Sequence, residues 1–270
     1  MISDINFQAY ENVEQIKDFD SIQDIELYRN ERLGMYEDHL SYVRSISDNR
    51  EEKLNIVEIG SGSSALLFKL DNEKLINKAV GVEISHSRYQ FAEKWKSDLN
   101  NKSIHNINSN FEEVNLKESF YDIIFCIDNT FSYLQPEDNQ YPRLFIKKAW
   151  KWLNKGGLLI FEMHNYKTIM EKMNDNILYF WKKNKTSNNF DYSLYKYNYD
   201  KNKNHIITYS KYLSKSKIKE KKEISYVYDN KIINNLIDNK FKIDNIFSDF
   251  NMNKYNEKCS DDMVIICSKI

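Results

Sequence analysis

A short apolar segment that runs directly into two glycines constrains the fold of this chain more than any other feature. The stretch NIVEIGSGSS at residues 55–64 contains Gly60 and Gly62, two of only six glycines among 270 residues. Glycine is used where the backbone turns tightly or where another molecule approaches it closely. The SALLFKL that follows begins a helical pattern, with Ser63 or Ser64 near its cap. The segment therefore predicts a buried strand, a tight glycine turn and a helix.

The same alternation of strand and helix continues to about residue 165. Further strands are predicted at residues 78–84, 103–109, 121–127 and 158–164, with helical segments between them. Pro142 suits the first turn of the helix before the last of these strands, and Gly156 or Gly157 suits the position where that helix ends. Such alternation is typical of a parallel sheet with right-handed crossovers, in which ligands bind at the carboxyl ends of the strands.

Different patterns flank this core on both sides. Apolar residues at helical spacing predict one amphipathic helix over 24–46, whereas 166–227 alternates polar with aromatic or β-branched residues, as antiparallel strands do. A helix capped by Asp229 and two closing strands follow. The prediction is a single α/β domain over 1–270, with a Rossmann-like doubly wound, mostly parallel sheet and an antiparallel closing strand. Its parts are a helical cap (1–50), a ligand-binding core (54–165), an inserted antiparallel lid (166–227) and a closing helix with strands (228–270).

Composition excludes several classes of protein. The formal net charge of −1 gives no electrostatic reason to expect nucleic-acid binding. Three cysteines without metal or disulfide spacing favour a reducing compartment, and neither a signal peptide nor a membrane-spanning run is evident. His39, His86 and His105 lack metal-like spacing with carboxylates, so no metal is expected. We predict a cytoplasmic protein that has no membrane span and acts on a small molecule. The sequence makes no prediction of its oligomeric state.

Three explanations of the paired glycines remain open on this pattern alone. Gly60, Gly62 and Ala65 fit the G-x-G-x-x-G/A pattern of a dinucleotide site, with Glu83 about 20 residues further on. A tight turn without any ligand also fits. The third explanation comes from segments 56–68, 80–85, 108–116, 121–134 and 153–164, which together resemble class I S-adenosylmethionine-dependent methyltransferases of the small-molecule type.

The resemblance implies a cofactor and a set of residues to bind it. Glu58, Gly60 and Gly62 match the first motif of these enzymes, although Ser64 replaces its third glycine. Glu83 stands where they place an acid on the ribose hydroxyls, and Asn110 and Phe111 stand beside the adenine. With Arg32 and Tyr28 closing over the cofactor carboxylate, the implied S-adenosylmethionine site comprises Arg32, Glu58, Gly60, Ser61, Gly62, Glu83, Ile84, Asn110, Phe111 and Asp128.

The acceptor is expected above the loops that follow the fourth and fifth strands. Asn129 and Asn165 are the predicted substrate-binding residues, and His164, Tyr133 and Tyr28 the predicted catalytic residues. Arg29, Arg32 and the lysines of 215–222 lie on the segments expected to roof this edge, which favours an anionic acceptor. The resemblance favours O-methylation, with bacterial capsule methyltransferases that modify a phosphoramidate or a sugar as the suggested subtype. The alternatives are a sugar or amine N-methyltransferase, a nicotinamide-dependent dehydrogenase and a non-catalytic cofactor-binding protein.

Overall fold

Two sheets and the helices around them make up the structure. The computed structural model describes residues 4–11, 14–15, 19–48, 50–134, 140–183, 191–214, 218–237 and 240–270. The strands are β1 (Leu54–Ile59), β2 (Ile76–Glu83), β3 (Ile104–Asn108), β4 (Tyr121–Cys126), β5 (Leu153–His164), β6 (Ile177–Lys183), β7 (Tyr192–Asp200), β8 (His205–Leu213), β9 (Ile218–Tyr226), β10 (Phe241–Phe247) and β11 (Asp262–Lys269). The helices are α1 (Asp4–Tyr10), α2 (Ile22–Gly34), α3 (Glu37–Ser47), α4 (Ala65–Asn72), α5 (His86–Asp98), α6 (Gln140–Trp152), α7 (Tyr166–Glu171) and α8 (Asn230–Ile237), with a short 3-10 helix at Thr130–Tyr133.

The large sheet has the order of a doubly wound α/β domain. Within the described residues seven strands pair as β10-β11-β5-β4-β1-β2-β3, of which β11 runs antiparallel to β5 and β10. Apolar side chains cover both faces of this sheet. One layer contains Leu66 from α4 and Phe91 from α5, and the other contains Phe145 from α6 and Ile233 from α8. The predicted Rossmann-like, mostly parallel sheet with an antiparallel closing strand is confirmed.

Two predicted element boundaries are wrong. The predicted helix over 24–46 is two helices, because α2 ends at Gly34 and the chain turns through Met35 and Tyr36 before α3 begins. This turn carries the ring of Tyr36 into the core, where the residue is 3% exposed. At the second boundary, α6 ends at Trp152 and not at the predicted Gly156 or Gly157, and the strand predicted from Leu158 begins at Leu153. Its pairing with β4 is interrupted by a bulge that contains Gly156 in the left-handed region, at φ +72°.

The small sheet is antiparallel in the order β6-β7-β8-β9 and follows the fifth strand of the core, as the sequence pattern predicts. Its inner face carries the fully buried Ile206, whereas Tyr179 and Trp181 on its outer face are each 67% exposed. Helix α1 packs along its edge strand β9. There the Asn6 amide donates to the carbonyl of Ile224 and accepts from the N–H of Ile224, both at 2.7 Å. In the part of the chain that the structure describes, the helices lack the length and apolar character needed to cross a bilayer.

Candidate active site

A cavity of about 300 Å³ lies at the carboxyl ends of β1, β2 and β4 and extends beneath α1 and α2. Nine of the sequence-predicted site residues line it together. These are Arg32, Gly60, Ser61, Glu83, Ile84, Asn110, Phe111, Asp128 and Tyr133. The cavity therefore joins the glycine turn, the acid that ends β2 and the loop that follows β4.

The glycine turn has a structural reason for both of its glycines. Gly60 and Gly62 adopt φ values of +76° and +55°, in the region that favours glycine. A Cβ at Gly60 would lie 2.5 Å from the side chain of Thr130, and a Cβ at Gly62 would lie 2.3 Å from the guanidinium of Arg88. The closest neighbours of the two glycines are thus side chains of the protein itself, so bulk at these positions would disturb the loop before it met any ligand.

Glu83 anchors this turn while facing the cavity. Its Oε2 accepts a hydrogen bond of 2.7 Å from the N–H of Gly62, and its Oε1 accepts one of 2.8 Å from the N–H of Ser85. The residue is 5% exposed. Because an ionised carboxylate offers about four lone-pair sites, Glu83 keeps the capacity to accept from a diol in the cavity. This geometry fits a ribose.

A second acid, Glu58, lies buried next to the cavity lining. The residue is 2% exposed, and within the described residues its Oε2 has no hydrogen-bond partner. Burial and the nearby charge of Asp128 raise the pKa of Glu58 well above its ordinary value. The buried hydroxyls of Ser61 and Ser63 likewise find no partner in the described chain. These unsatisfied polar groups around the glycine turn fit a site that is completed by a polar ligand.

Asp128 is held in the cavity wall by the loop after β4. It adopts a φ of +51° and accepts a hydrogen bond of 2.8 Å from the hydroxyl of Tyr36, while its N–H donates to Oε2 of Glu162 at 3.1 Å. The same Tyr36 hydroxyl accepts a hydrogen bond of 3.3 Å from Arg32, so the Asp128 carboxylate and the Arg32 guanidinium lie on the same side of the cavity.

Two arginines provide the positive charge of the site, and one of them was not predicted. Arg88, at the start of α5, donates from Nε to Oε2 of Glu14 at 2.8 Å. Arg32 lies 3.9 Å from the other oxygen of Glu14, and within the described residues its Nε makes no hydrogen bond. Burial raises the pKa of Glu14, but the charges of Arg88 and Arg32 outweigh it and leave that pKa lowered. Tyr28 also donates to Glu14, which places its hydroxyl outside the cavity lining.

Part of the cavity lining is apolar. Phe111 is 5% exposed and packs edge-on against Phe145, with ring centroids 5.7 Å apart. Ile84 and Leu134 line the same cavity, and Asn110 adds its amide, which exchanges hydrogen bonds with Glu112. An apolar wall with one amide suits a flat heteroaromatic ring such as adenine.

Tyr133 lies in a polar cluster whose other members, Tyr10 and Glu223, are not predicted from the sequence as site residues. Its hydroxyl is 2.5 Å from that of Tyr10 and 3.0 Å from Oε1 of Glu223, and Tyr10 also lines the cavity. Burial and the charge of Glu223 raise the pKa of Tyr133 well above its ordinary value. The alternating pattern of KIKEKKEISY does place Glu223 and Ser225 on one face of a strand, but the sequence gives no sign that this face meets residue 133.

Four other predicted residues are not among those that line the cavity, and one of them is Gly62, whose place in the turn is described above. Asn129 is 3% exposed, and its amide donates to the hydroxyls of Tyr166 and Ser225 while accepting from the N–H of His164. Asn165 donates to two backbone carbonyls near residue 260, each at 2.8 Å. His164 is half-exposed and pairs with Asp262 at 2.7 Å. The structure thus gives Asn129 and Asn165 local structural partners.

The positively charged side chains that the sequence predicts above the acceptor are not arranged as expected. Arg29 is buried and donates to Asp98 and Glu26, away from the cavity, while Lys221 is paired with Glu223 at 3.0 Å. Residues 215–217 of the predicted lysine-rich roof lie outside the described residues. In the ranges that the structure describes, histidine, cysteine and acidic side chains form no group of three that could hold a metal ion.

Comparisons with known proteins agree with this geometry. Residues 57–161 match the methyltransferase domain family. The CcbJ methyltransferase from Streptomyces caelestis superposes with a TM-score of 0.77 at 13% identity, covering 99% of both chains. An S-adenosylmethionine-dependent methyltransferase from Clostridium acetobutylicum superposes with a TM-score of 0.71 at 14% identity, covering 87% of this chain and 92% of its own. At such identities the likeness shows a common fold.

A third structure was solved with S-adenosylmethionine bound. It is CalS10, an amino pentose methyltransferase from Micromonospora echinaspora, with a TM-score of 0.64 at 10% identity, covering 93% of this chain and 98% of its own. A search of curated proteins by sequence finds no match. Residues 57–161 therefore form a methyltransferase domain, on a fold that the chain shares with these structures.

Proposed function

We propose that this enzyme binds S-adenosylmethionine in the cavity described above and methylates an oxygen of a small polar acceptor. The observation that carries the proposal is the cavity lining itself. It joins a carboxylate already fixed by backbone N–H groups (Glu83), an apolar wall with an amide (Phe111 and Asn110) and a guanidinium with hydrogen-bonding capacity (Arg32). These groups are complementary to a ribose, an adenine and a carboxylate.

Each end of the cavity has a distinct part in binding the cofactor. Glu83 accepts from the ribose hydroxyls, Ile84 and Phe111 enclose the adenine, and Arg32 pairs with the carboxylate of the amino-acid portion. Gly60 and Ser61 bring the backbone close to the ligand. The Glu58 carboxyl, whose Oε2 has no hydrogen-bond partner among the described residues, and the Asp128 carboxylate lie on the side that receives the ammonium of the cofactor. The cofactor supplies an electrophilic methyl group on a positively charged sulfur. The protein's contribution is alignment and exclusion of water.

We place the acceptor against Tyr133 and Tyr10, the two phenols that line the cavity and donate to Glu223 of β9. We retain O-methylation because these phenols can hydrogen-bond a hydroxyl. The charge pattern gives less support to an anionic acceptor, since Lys221 is already paired with Glu223 and Arg29 faces elsewhere. An acceptor carried on a sugar, including a capsular one, stays part of the proposal.

Methylation of an amino group is the second candidate. CalS10 is an amino pentose methyltransferase, and another structure of the same fold is the glycopeptide N-methyltransferase MtfA, with a TM-score of 0.54 at 10% identity. Glu223 would also attract an ammonium. The two candidates share every cofactor contact, so turnover of paired hydroxyl and amino sugars separates them.

Calorimetry with S-adenosylhomocysteine and with NADH tests the cofactor assignment. We expect the first to bind and the second not to bind. Glu83→Ala should weaken S-adenosylhomocysteine by about 10- to 100-fold, the usual effect of losing a charged hydrogen-bond partner. The exposed carboxyl of Glu113 lies nearby and offers a control, since Glu113→Ala should leave the affinity unchanged. Binding of NADH in place of S-adenosylhomocysteine would overturn the proposal.

A further inference from the structure

Two phenols, a carboxylate and an ammonium from distant segments form a partly buried cluster beside the cavity. Tyr10 comes from α1, Tyr133 from the 3-10 helix after β4, and Lys221 and Glu223 from β9. Oε1 of Glu223 accepts from Tyr10 at 2.5 Å and from Tyr133 at 3.0 Å, and it lies 3.0 Å from Nζ of Lys221. The Lys221 ammonium also lies 3.8 Å from the ring centroid of Tyr10.

The two phenols lie between the cavity and the Glu223 carboxylate. Tyr10 and Tyr133 line the cavity, whereas Glu223 lies behind them and is reached through their hydroxyls. Both phenols stay protonated at neutral pH, because burial and neighbouring groups, including the charge of Glu223, raise their pKa well above the ordinary value. A group in the cavity therefore meets a hydroxyl that can accept one proton while it passes another to a carboxylate.

We propose that Glu223, acting through Tyr133, accepts the proton of the methyl acceptor, and that the acceptor is accordingly a neutral hydroxyl compound. This inference rests on the proposed function. An acceptor that is already ionised needs no proton acceptor, so a carboxylate behind two phenols would only oppose its binding. The ammonium of Lys221 lies beside Glu223 as its ion-pair partner, and Tyr10 donates to the same carboxylate oxygen as Tyr133.

The proposed step is balanced in atoms and charge. The acceptor O–H bond breaks, its electron pair forms the new O–C bond to the methyl group, and the S–C bond breaks with its pair left on sulfur. Tyr133 Oη takes the acceptor proton and passes its own to Glu223. The positive charge on sulfur and the negative charge on Glu223 are lost together, so no other reactant is required.

Sinefungin tests the position of the cluster without a known acceptor. This analogue carries an ammonium at the methyl-bearing position, whereas S-adenosylhomocysteine has no charge there. If Glu223 lies behind that position, wild-type protein binds sinefungin more tightly than S-adenosylhomocysteine. Glu223→Gln should reduce this preference about tenfold, the size expected for a charge-assisted hydrogen bond, and leave the affinity for S-adenosylhomocysteine within about twofold.

Two more variants keep the test decisive if Glu223→Gln folds poorly. Tyr133→Phe removes the connecting hydroxyl and should reduce the sinefungin preference by about two- to tenfold. Glu220→Gln alters the same strand on the opposite face, where the carboxylate pairs with exposed Lys211, and should change nothing. An unchanged preference in both Glu223→Gln and Tyr133→Phe overturns the inference while the cofactor assignment stands. Failure of wild-type protein to bind S-adenosylhomocysteine is a separate result that overturns the proposed function as well.

Discussion

The guanidinium of Arg88 occupies the space where a side chain at Gly62 would begin, since an added Cβ would lie 2.3 Å from its terminal nitrogen. Arg88 cannot easily withdraw, because it also donates to the buried Glu14 at 2.8 Å. The glycine turn is therefore coupled to the N-terminal segment through one arginine. This coupling gives Gly62 a role in stability in addition to its place beside the cavity.

Gly62→Ala should destabilise the protein more than Gly156→Ala. Both glycines have positive φ, +55° and +72°, so each alanine variant pays about 1–2 kcal/mol for the left-handed conformation. A Cβ at Gly156 meets nothing within 4 Å in the described chain, whereas one at Gly62 displaces Arg88. Urea unfolding of the two variants measures the difference. Equal losses would mean that Arg88 moves aside without cost.

The sequence predicts the core sheet well because its signals are local. The apolar strands β1, β2 and β4 and the glycine turn after β1 are each contained in a short stretch, and the carboxyl ends of parallel strands meet at one edge whatever the details. The break between α2 and α3 was missed, since the apolar spacing continues across Gly34 and the turn depends on the burial of Tyr36.

Contacts between distant segments could not be predicted from the same patterns. Tyr10 meets Glu223 across 213 residues of sequence, and Arg88 meets Glu14 across 74. Arg88 lies in the helical segment predicted between the strands at 78–84 and 103–109, and this pattern does not indicate a carboxylate partner. The sequence predicts a catalytic His164 because strand ends carry ligands, and it gives no sign that this side chain pairs with Asp262 in β11.

Arg32→Met should weaken binding of S-adenosylhomocysteine and leave 5′-methylthioadenosine unaffected. Only the first ligand carries the carboxylate that we assign to Arg32, whose Nε lacks a hydrogen-bond partner among the described residues. The expected loss is about 10- to 100-fold for the first ligand. Calorimetry with both ligands measures it. A parallel loss for both would show that Arg32 acts through the shape of the cavity.

His164→Ala should have a small, pH-dependent effect on stability. Burial lowers the pKa of His164, but its hydrogen bond with Asp262 and the charges of Asp262, Glu162 and Asp128 outweigh this, so the pKa is raised. A raised pKa stabilises the fold fully below about pH 6.5, the unfolded value, and this contribution disappears as the pH rises through the folded value. Because the side chain is half-exposed, the ion pair contributes at most about 1 kcal/mol.

Thermal unfolding at pH 6 and pH 9 checks this expectation. The variant should melt slightly below the wild type at pH 6 and together with it at pH 9. Methyl transfer should be retained, because His164 is not among the residues that line the cavity. Loss of turnover without loss of binding would restore His164 to the reaction.

Glu58→Gln should stabilise the ligand-free protein at neutral pH and have no such effect in acid. Burial and the charge of Asp128 raise the pKa of Glu58, so the folded state holds the proton more tightly than the unfolded state does. Stability from this group is present below about pH 4.3, the unfolded value, and falls as the pH rises toward the folded value, by about 1.4 kcal/mol for each unit between them. A neutral amide avoids that loss. Within the described residues Oε2 of Glu58 has no hydrogen bond that the substitution would remove.

Urea unfolding from pH 4 to pH 8 measures this effect. The free energy of unfolding of Glu58→Gln should rise relative to that of the wild type as the pH rises, whereas Glu52→Gln, at an exposed position, should follow the wild type throughout. A variant less stable than the wild type at pH 8 would show that the charged carboxylate is satisfied within the fold, and that Glu58 needs no ligand to complete it.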